Sequence, residues 1–302
     1  MAPGAMNVPL PSPAELSPLE VARILDTALA EDLAGGDLTT RSVVPPDAVA
    51  RGEFITREPL VVAGLAIAAL TFARVDPRVT FTALVADGAH LEPRAVIARV
   101  EGPAHGVLTG ERVALNLLQR MSGVATRTRD FVAAVPAGCA TRITDTRKTT
   151  PGLRALERYA VRMGGGHNHR NDLGSGVLIK DNHVAVCGGV RAAIERARKN
   201  APHTVRVECE VDGLAQLEDA LAAGADIIML DNFDDATTLA AMERVARHTP
   251  RPVIEVSGGV KLERVARVAA MGVDVISVGS LTHGARAIDI GLDLTITGAW
   301  TT

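Results

Sequence analysis

Aromatic residues are scarce in this 302-residue chain: one Trp, one Tyr and five Phe, 2% in all. A packed interior must therefore come from Ala, Val, Leu and Ile, and the 47% hydrophobic content is enough to build one. So few rings leave little for stacking the bases of RNA. A positive charge excess is missing too. The formal charge of −3 offers no footprint for nucleic acid or an anionic membrane. The three cysteines, Cys139, Cys187 and Cys209, are far apart and form no CxxC pair. Neither a disulfide framework nor a zinc site is expected, and a reduced, cytoplasmic setting is the natural reading. No stretch is long and apolar enough to cross a membrane. The opening MAPGAMNVPLPSPAELSP lacks the basic start and apolar run of a secretory signal. Its prolines predict an extended or disordered arm over 1–17.

The residues that are present fall into two halves. From Ser17 to Leu33 the residues Leu19, Ala22, Ile24, Leu25, Ala28 and Leu29 recur at helical spacing. Residues 52–100 read as short β-rich runs (EFITR, LVVAG, VTFTALV, AVIARVEG) separated by turns. A longer helical pattern occupies 110–135. This half predicts an α+β layer with helices against a sheet. From Ala140 the rhythm changes to TRITDT, GVLIKD, VRVECEV, IIMLD, VIEVSG and VISVG, with helical stretches at 152–163, 188–200, 213–223, 235–247 and 261–270. Strands alternating with helices predict parallel βαβ units, either an incomplete α/β barrel of the TIM type or an open doubly wound sheet.

Polar residues favour the barrel. Nearly every apolar run ends in chemistry: Asp145-Thr146-Arg147-Lys148, Lys180-Asp181-Asn182, Glu208 to Glu210, Asp231-Asn232, Glu255 to Ser257 and Gly279-Ser280. In a barrel all those C-terminal ends meet at one mouth, whereas an open sheet uses a single switch point.

Between Arg142 and His183 stand eight Lys or Arg against four acids. Arg154, Arg158 and Arg162, spaced i, i+4, read as a solvated helix stripe. Arg147, Lys148, Arg170 and Lys180 sit at strand ends or in the glycine-rich loop GGGHNHR (164–170), where a charge serves a ligand or is costly. Arg grips a carboxylate with two parallel hydrogen bonds, and Lys adds a compact point charge. The glycines would let backbone approach the ligand. Zinc at His167 and His169 is disfavoured, since no Cys or carboxylate stands at ligand spacing. Glu210 and Asp231 end the third and fourth strands, as a buried ion pair and a helix cap or as ligands for a hydroxylated sugar and Mg²⁺. Ser257-Gly258-Gly259 and Gly279-Ser280-Leu281-Thr282-His283 come after the last two strands, where barrels commonly cradle phosphate. Together these describe transfer of a phosphorylated sugar to an acidic acceptor.

The motifs EDLAGGDLTT (31–40), GERVALNLLQRMSGVAT (110–126), DTRKTTPGLR (145–154), ERYAVRMGGGHNHR (157–170), LIKDNH (178–183), ECEV (208–211), MLDN (229–232), EVSGGV (255–260) and ISVGSLTH (276–283) run through nearly the whole chain. In these the sequence resembles the quinolinate phosphoribosyltransferases, the carboxylating nicotinate-nucleotide pyrophosphorylases of NAD synthesis. The resemblance implies an N-terminal α/β sandwich (18–137 and 285–302) and an incomplete barrel (138–284), with IDIGLDL (288–294) as the strand returning to the first domain. It implies reaction of quinolinate with phosphoribosyl pyrophosphate, Mg²⁺ as the metal and no organic cofactor. Arg147, His169, Arg170 and Lys180 would hold the two quinolinate carboxylates, and Arg112 would reach in from a second copy, making a homodimer or a higher oligomer. Lys148, Glu210 and Asp231 would bind the sugar diphosphate and metal, with Lys148, Lys180, Glu210 and Asp231 the catalytic group. Ser257, Gly258, Gly279, Ser280 and His283 would seat the 5′-phosphate. One departure stands out: the family's Gly-Leu-x-Asp after HNHR is here Asp172-Leu173-Gly174-Ser175, with the aspartate displaced.

Three other readings remain beside this one. They are a phosphoribosyltransferase for another pyridine carboxylate such as nicotinate, a Schiff-base aldolase using Lys180, and a ligand-binding protein without turnover. The doubled cationic clamp speaks for a second carboxylate, and the charged surroundings of Lys180 speak against a desolvated amine.

Overall fold

Residues 16–297 are described by the structure, a computed structural model. Of the expected N-terminal arm, residues 1–15 lie outside the described residues. The chain divides into two units, one of Met1–Arg127, Thr149–Gly165 and Gly284–Thr302, the other of Thr128–Lys148 and Gly166–His283.

The first unit opens with α1 (Pro18–Asp32), which begins with proline in its first turn and buries Val21, Ile24 and Leu25. Then come α2 (Leu38–Val43), β1 (Val49–Thr56), β2 (Leu60–Val61), α3 (Leu65–Val75), β3 (Thr80–Ala83), β4 (His90–Leu91), β5 (Val96–Pro103) and the 30-residue α4 (Ala104–Ala133). Residues Ala50, Gly52, Phe54 and Thr56 of β1 alternate inward, the period-two signature of a sheet covered on one face. Beneath them Leu65, Ala68 and Phe72 of α3 and Val107, Ala114 and Leu118 of α4 complete the core. Three of the few aromatic rings, Phe54, Phe72 and Phe81, meet there with centroids 5.4–6.1 Å apart. The sheet closes with β12 (Ile290–Thr297), antiparallel to β1 with Leu292 opposite Phe54, so the run containing IDIGLDL does return to this unit. Strand order is β12-β1-β5-β3.

Two sequence expectations fail here. Residues 65–75, which fall between the runs LVVAG and VTFTALV in a stretch read as strands and turns, are helical, and the Asp87 carboxylate accepts the Gly64 and Leu65 N–H groups at 2.9 and 3.2 Å. That cap comes from more than twenty residues downstream, beyond any local pattern. Helix α4 also starts six residues before the expected position, directly off β5.

The second unit carries β6 (Arg142–Thr144), β7 (Val177–Ile179), α6 (Asp181–Cys187), α7 (Val190–Asn200), β8 (Val207–Val211), α8 (Leu214–Ala222), β9 (Ile227–Asp231), α9 (Asp235–Val245), β10 (Val253–Ser257), α10 (Leu262–Ala270) and β11 (Val275–Ser277). The six strands pair in parallel in the order β6-β11-β10-β9-β8-β7. The first two strands of this series, β6 and β7, stand at opposite ends and do not pair, which is the incomplete barrel expected from the sequence. Ile228, Leu230, Ile254, Val256 and Ile276 are fully buried, as strands covered on both faces require.

The helix expected as the first barrel crossover, α5 (Arg154–Met163), groups with the first unit. Its Glu157 is fully buried and takes two hydrogen bonds from Arg120 of α4 at 3.0 and 2.7 Å, while Tyr159 donates to Asp87 at 2.7 Å. The sequence stripe of Arg154, Arg158 and Arg162 is not a solvated face: all three are half-buried. Arg154 donates to Thr149 Oγ1 at 3.0 Å, and Arg162 lies 5.5 Å over the Tyr159 ring.

Candidate active site

Strand β6 runs into Asp145, a fully buried carboxylate that anchors the HNHR segment. Its Oδ1 accepts the His169 N–H at 2.7 Å and its Oδ2 accepts from Asn168 Nδ2 at 2.6 Å. The His167 N–H donates to Ile143 O at 2.8 Å, and Thr144 and His167 form a parallel bridge. The HNHR segment is thus laid along the edge of the sheet. Of the glycines before it, Gly164 ends α5 and Gly165 turns the chain at a φ of +87°.

The His169 ring is 13% exposed, with its Nε2 3.4 Å from Glu208 Oε2 and 3.5 Å from Glu255 Oε1. Burial alone would lower its pKa; the hydrogen bonds and charges of Glu208 and Glu255 outweigh that and lift it to about 10. Its Nδ1 accepts the Arg170 N–H at 2.7 Å, which calls for a free lone pair there. The two differ at Nδ1, since a charged ring would carry a hydrogen there; the 2.7 Å contact describes the ring with its hydrogen on Nε2, and the two carboxylates favour a second proton that would break that contact. Burial, then the like charge of Arg147, holds the Arg170 guanidinium below its usual range. Arg170 Nη1 donates to Gly176 O at 3.0 Å.

Glu208 and Glu210 alternate with Cys209 along β8, so both carboxylates leave the same face of the strand. Burial, with the flanking charges of Glu210 and Glu208, pushes the Cys209 thiol up to about 12 and leaves it a poor nucleophile. Glu210 Oε2 pairs with Lys180 Nζ at 2.5 Å, so an expected acceptor-binding cation and an expected sugar- or metal-binding carboxylate meet directly. Lys180 begins α6, with its N–H donating to His183 Nδ1 at 2.9 Å.

At the ends of β9 and β10, Asp231 lies opposite Ser257. Asn232, at a φ of +56°, donates from Nδ2 to Asp231 Oδ2 at 2.7 Å and from its N–H to Ser257 O at 3.0 Å. After β11, residues Gly279–Leu281 form a single 3₁₀ turn that contains Ser280. A β-carbon on Gly279 would meet Lys148 Cδ at 3.0 Å and His283 Cδ2 at 3.4 Å, so those three expected residues converge. Thr282 Oγ1 donates to Lys148 O at 2.8 Å and ties the turn to the end of β6.

Arg147, Lys148, His169, Arg170, Lys180, Glu210, Asp231, Ser257, Gly258, Gly279, Ser280 and His283 thus all stand at the ends of strands of one parallel sheet or lie on the loops between them. Arg112 is elsewhere, exposed on α4 in the other unit. The displaced Asp172 makes an exposed turn, accepting from Ser175 Oγ at 2.7 Å and from Gly174 N–H at 2.9 Å. Among the described residues, one group of three potential metal ligands comes together: His169, Glu208 and Glu255. The carboxylates expected for Mg²⁺, Glu210 and Asp231, are hard oxygen donors at neighbouring strand ends and suit that ion chemically. The roles of Asp145, Glu208, Glu255 and Asn232 escaped the sequence reading. The Glu-Cys-Glu spacing marked two carboxylates on one face of β8, and nothing local told which ligand or side chain each would meet.

Residues 124–293 match the family model for the C-terminal domain of quinolinate phosphoribosyl transferase, and residues 37–122 match that for its N-terminal domain. The chain belongs to the quinolinate phosphoribosyltransferase family. The nicotinate-nucleotide pyrophosphorylase (carboxylating) of Mycobacterium leprae (strain TN) is 47% identical over 270 residues, covering 88% of this chain and 94% of that protein. A relative from Bacillus subtilis (strain 168) is 42% identical over 279 residues, 92% of this chain and 94% of its own length. The crystal structure of NadC from Streptococcus pyogenes superposes with a TM-score of 0.88 at 39% identity, covering 94% of this chain and 99% of that one. Both family domains are therefore present, with the fold those relatives share.

Proposed function

We infer that this protein transfers the phosphoribosyl group of phosphoribosyl pyrophosphate to the ring nitrogen of quinolinate, with decarboxylation, giving nicotinate mononucleotide, pyrophosphate and CO₂ for NAD synthesis. The observation that carries the reading at the site is the half-buried Arg170 guanidinium next to His169, whose Nε2 faces Glu208 and Glu255, with Arg147 at the end of the adjoining strand. A monocarboxylate such as nicotinate would neutralise less of that charge than a dicarboxylate does. Lys180, ion-paired to Glu210, is not the desolvated amine that Schiff-base chemistry needs.

In this reading Arg147, His169, Arg170 and Lys180 orient the two carboxylates so that the ring nitrogen faces the anomeric carbon. Departure of pyrophosphate leaves positive charge on the ribose, which Glu210 and Asp231 stabilise electrostatically. N-alkylation makes the ring a pyridinium, whose positive nitrogen stabilises the electron pair left on the adjacent ring carbon as its carboxylate leaves as CO₂, and that carbon then takes up a proton from solvent. Lys148, Ser257, Gly258, Gly279, Ser280 and His283 hold the phosphate groups. Mg²⁺ would be held by Glu210 and Asp231 and would neutralise pyrophosphate charge. Arg112 would complete the clamp from a second copy in a homodimer. Three free cysteines fit a reducing, cytoplasmic location.

The test is release of labelled CO₂ from carboxyl-labelled quinolinate. Release that requires both phosphoribosyl pyrophosphate and Mg²⁺ is expected. Equal use of nicotinate, or no CO₂, would overturn the assignment.

A further inference from the structure

Two carboxylates behind His169 have no task in the reaction itself. Glu208 is the second residue of β8 and Glu255 the third of β10, and they are 5% and 3% exposed. Glu208 Oε1 and Glu255 Oε1 are buried without a well-formed hydrogen bond. Buried carboxylates so poorly satisfied are destabilising, and they persist where something else requires them. Both approach a single group, His169 Nε2, at 3.4 and 3.5 Å from two different strands.

The remaining polar atoms of His169 are held as well. Asp145 takes its N–H, and its Nδ1 takes the N–H of Arg170. A ring that accepts at Nδ1 carries its hydrogen on Nε2, so Nε2–H faces the two carboxylates at ion-pair distance and is not a metal ligand. This excludes the trio as a metal site in the arrangement present. A mechanical role remains. The residue after His169 is Arg170, whose own N–H is tied to the ring, so the position of the ring sets the start of the Arg170 side chain.

We propose that Glu208 and Glu255 are positioning residues for the anion clamp, their charges holding the Nε2–H side of His169 from two strands and thereby setting where the Arg170 side chain starts. The proposal rests on the assignment of His169 and Arg170 to quinolinate.

The experiment is a double-mutant cycle in the full-length enzyme: Glu208→Gln with Glu255→Gln, His169→Ala, and all three together. Thermal midpoint, KM for quinolinate, KM for phosphoribosyl pyrophosphate and kcat are read for each. The paired Gln change is expected to raise the quinolinate KM about ten-fold and that for phosphoribosyl pyrophosphate by less than about two-fold. In the His169→Ala background the same change should add less than about two-fold, because the group being positioned is gone. Full additivity, or an equal rise in both KM values, overturns the proposal. Should the paired variant be too unstable to assay, the single Gln variants go through the same cycle under the same criterion. If His169→Ala itself leaves quinolinate KM unchanged, the site assignment fails, and the positioning role with it. If His169→Ala weakens quinolinate while the Gln variants do not, the positioning role alone fails.

Discussion

Gly258 stands where any β-carbon would collide with the side-chain oxygen of Asn232 and lie 2.7 Å from its backbone nitrogen. The loop after β10 thereby locks onto the residue that holds the Asp231 carboxylate. Gly258 also has a φ of +89°, which disfavours any side chain by about 1 kcal/mol before the clash is counted. Gly258→Ala should push the two loops apart and raise the KM for phosphoribosyl pyrophosphate by about ten-fold or more, with a smaller change for quinolinate. Steady-state kinetics against each substrate check this, and equal effects on both would contradict it.

Arg170→Ala removes the half-buried guanidinium that follows His169 in the clamp. Quinolinate binding should weaken by on the order of 100-fold, because a charge-assisted carboxylate contact is lost. Binding of phosphoribosyl pyrophosphate should change far less. Calorimetric titration of each substrate separates the two, and equal losses would refute the assigned role.

Stability should respond to pH through His169. The carboxylates of Glu208 and Glu255 lift its folded pKa to about 10, above the ordinary value of 6.5, and a second proton displaces the Arg170 N–H from Nδ1; where the carboxylates win, the stabilisation is complete below about 6.5 and is lost as pH rises through about 10. The wild-type thermal midpoint should therefore fall between those limits more steeply than that of His169→Gln. A matched slope in the two proteins would show that the ring is not the titrating group.

Arg120→Leu should be among the more destabilising single changes in the first unit. It leaves Glu157, fully buried, without its two guanidinium hydrogen bonds, and also frees Ala285 O, which Arg120 Nη1 contacts at 2.5 Å. Breaking a buried pair from one side costs about 3–5 kcal/mol. Urea denaturation reads this directly, and Glu157→Gln should be milder because it removes the buried charge itself.

The barrel was legible because its signals are local. Each strand is a short apolar run closed by a polar cluster, as in IIMLD and VIEVSG, and β9 and β10 fall on those runs. The helix Leu65–Val75 was not legible, since its N-terminus is capped by Asp87 from a different part of the chain. Arg154, Arg158 and Arg162 show the same limit: their spacing states that they share a face of α5 and says nothing of what that face meets.

The kinds of groups at the site, and the strand ends that carry them, come from motif and periodicity alone, because backbone geometry projects neighbouring residues in a regular way. Which groups touch was decided by the fold. Glu208 and Glu255 are far apart in the chain, and they share the same imidazole only because β9 pairs with both β8 and β10 and brings their strands within reach of the loop held by Asp145. Lys180 and Glu210 likewise become partners through the pairing of β7 with β8. Long-range partnership depends on sheet register, and no residue-by-residue pattern encodes register between strands so far apart.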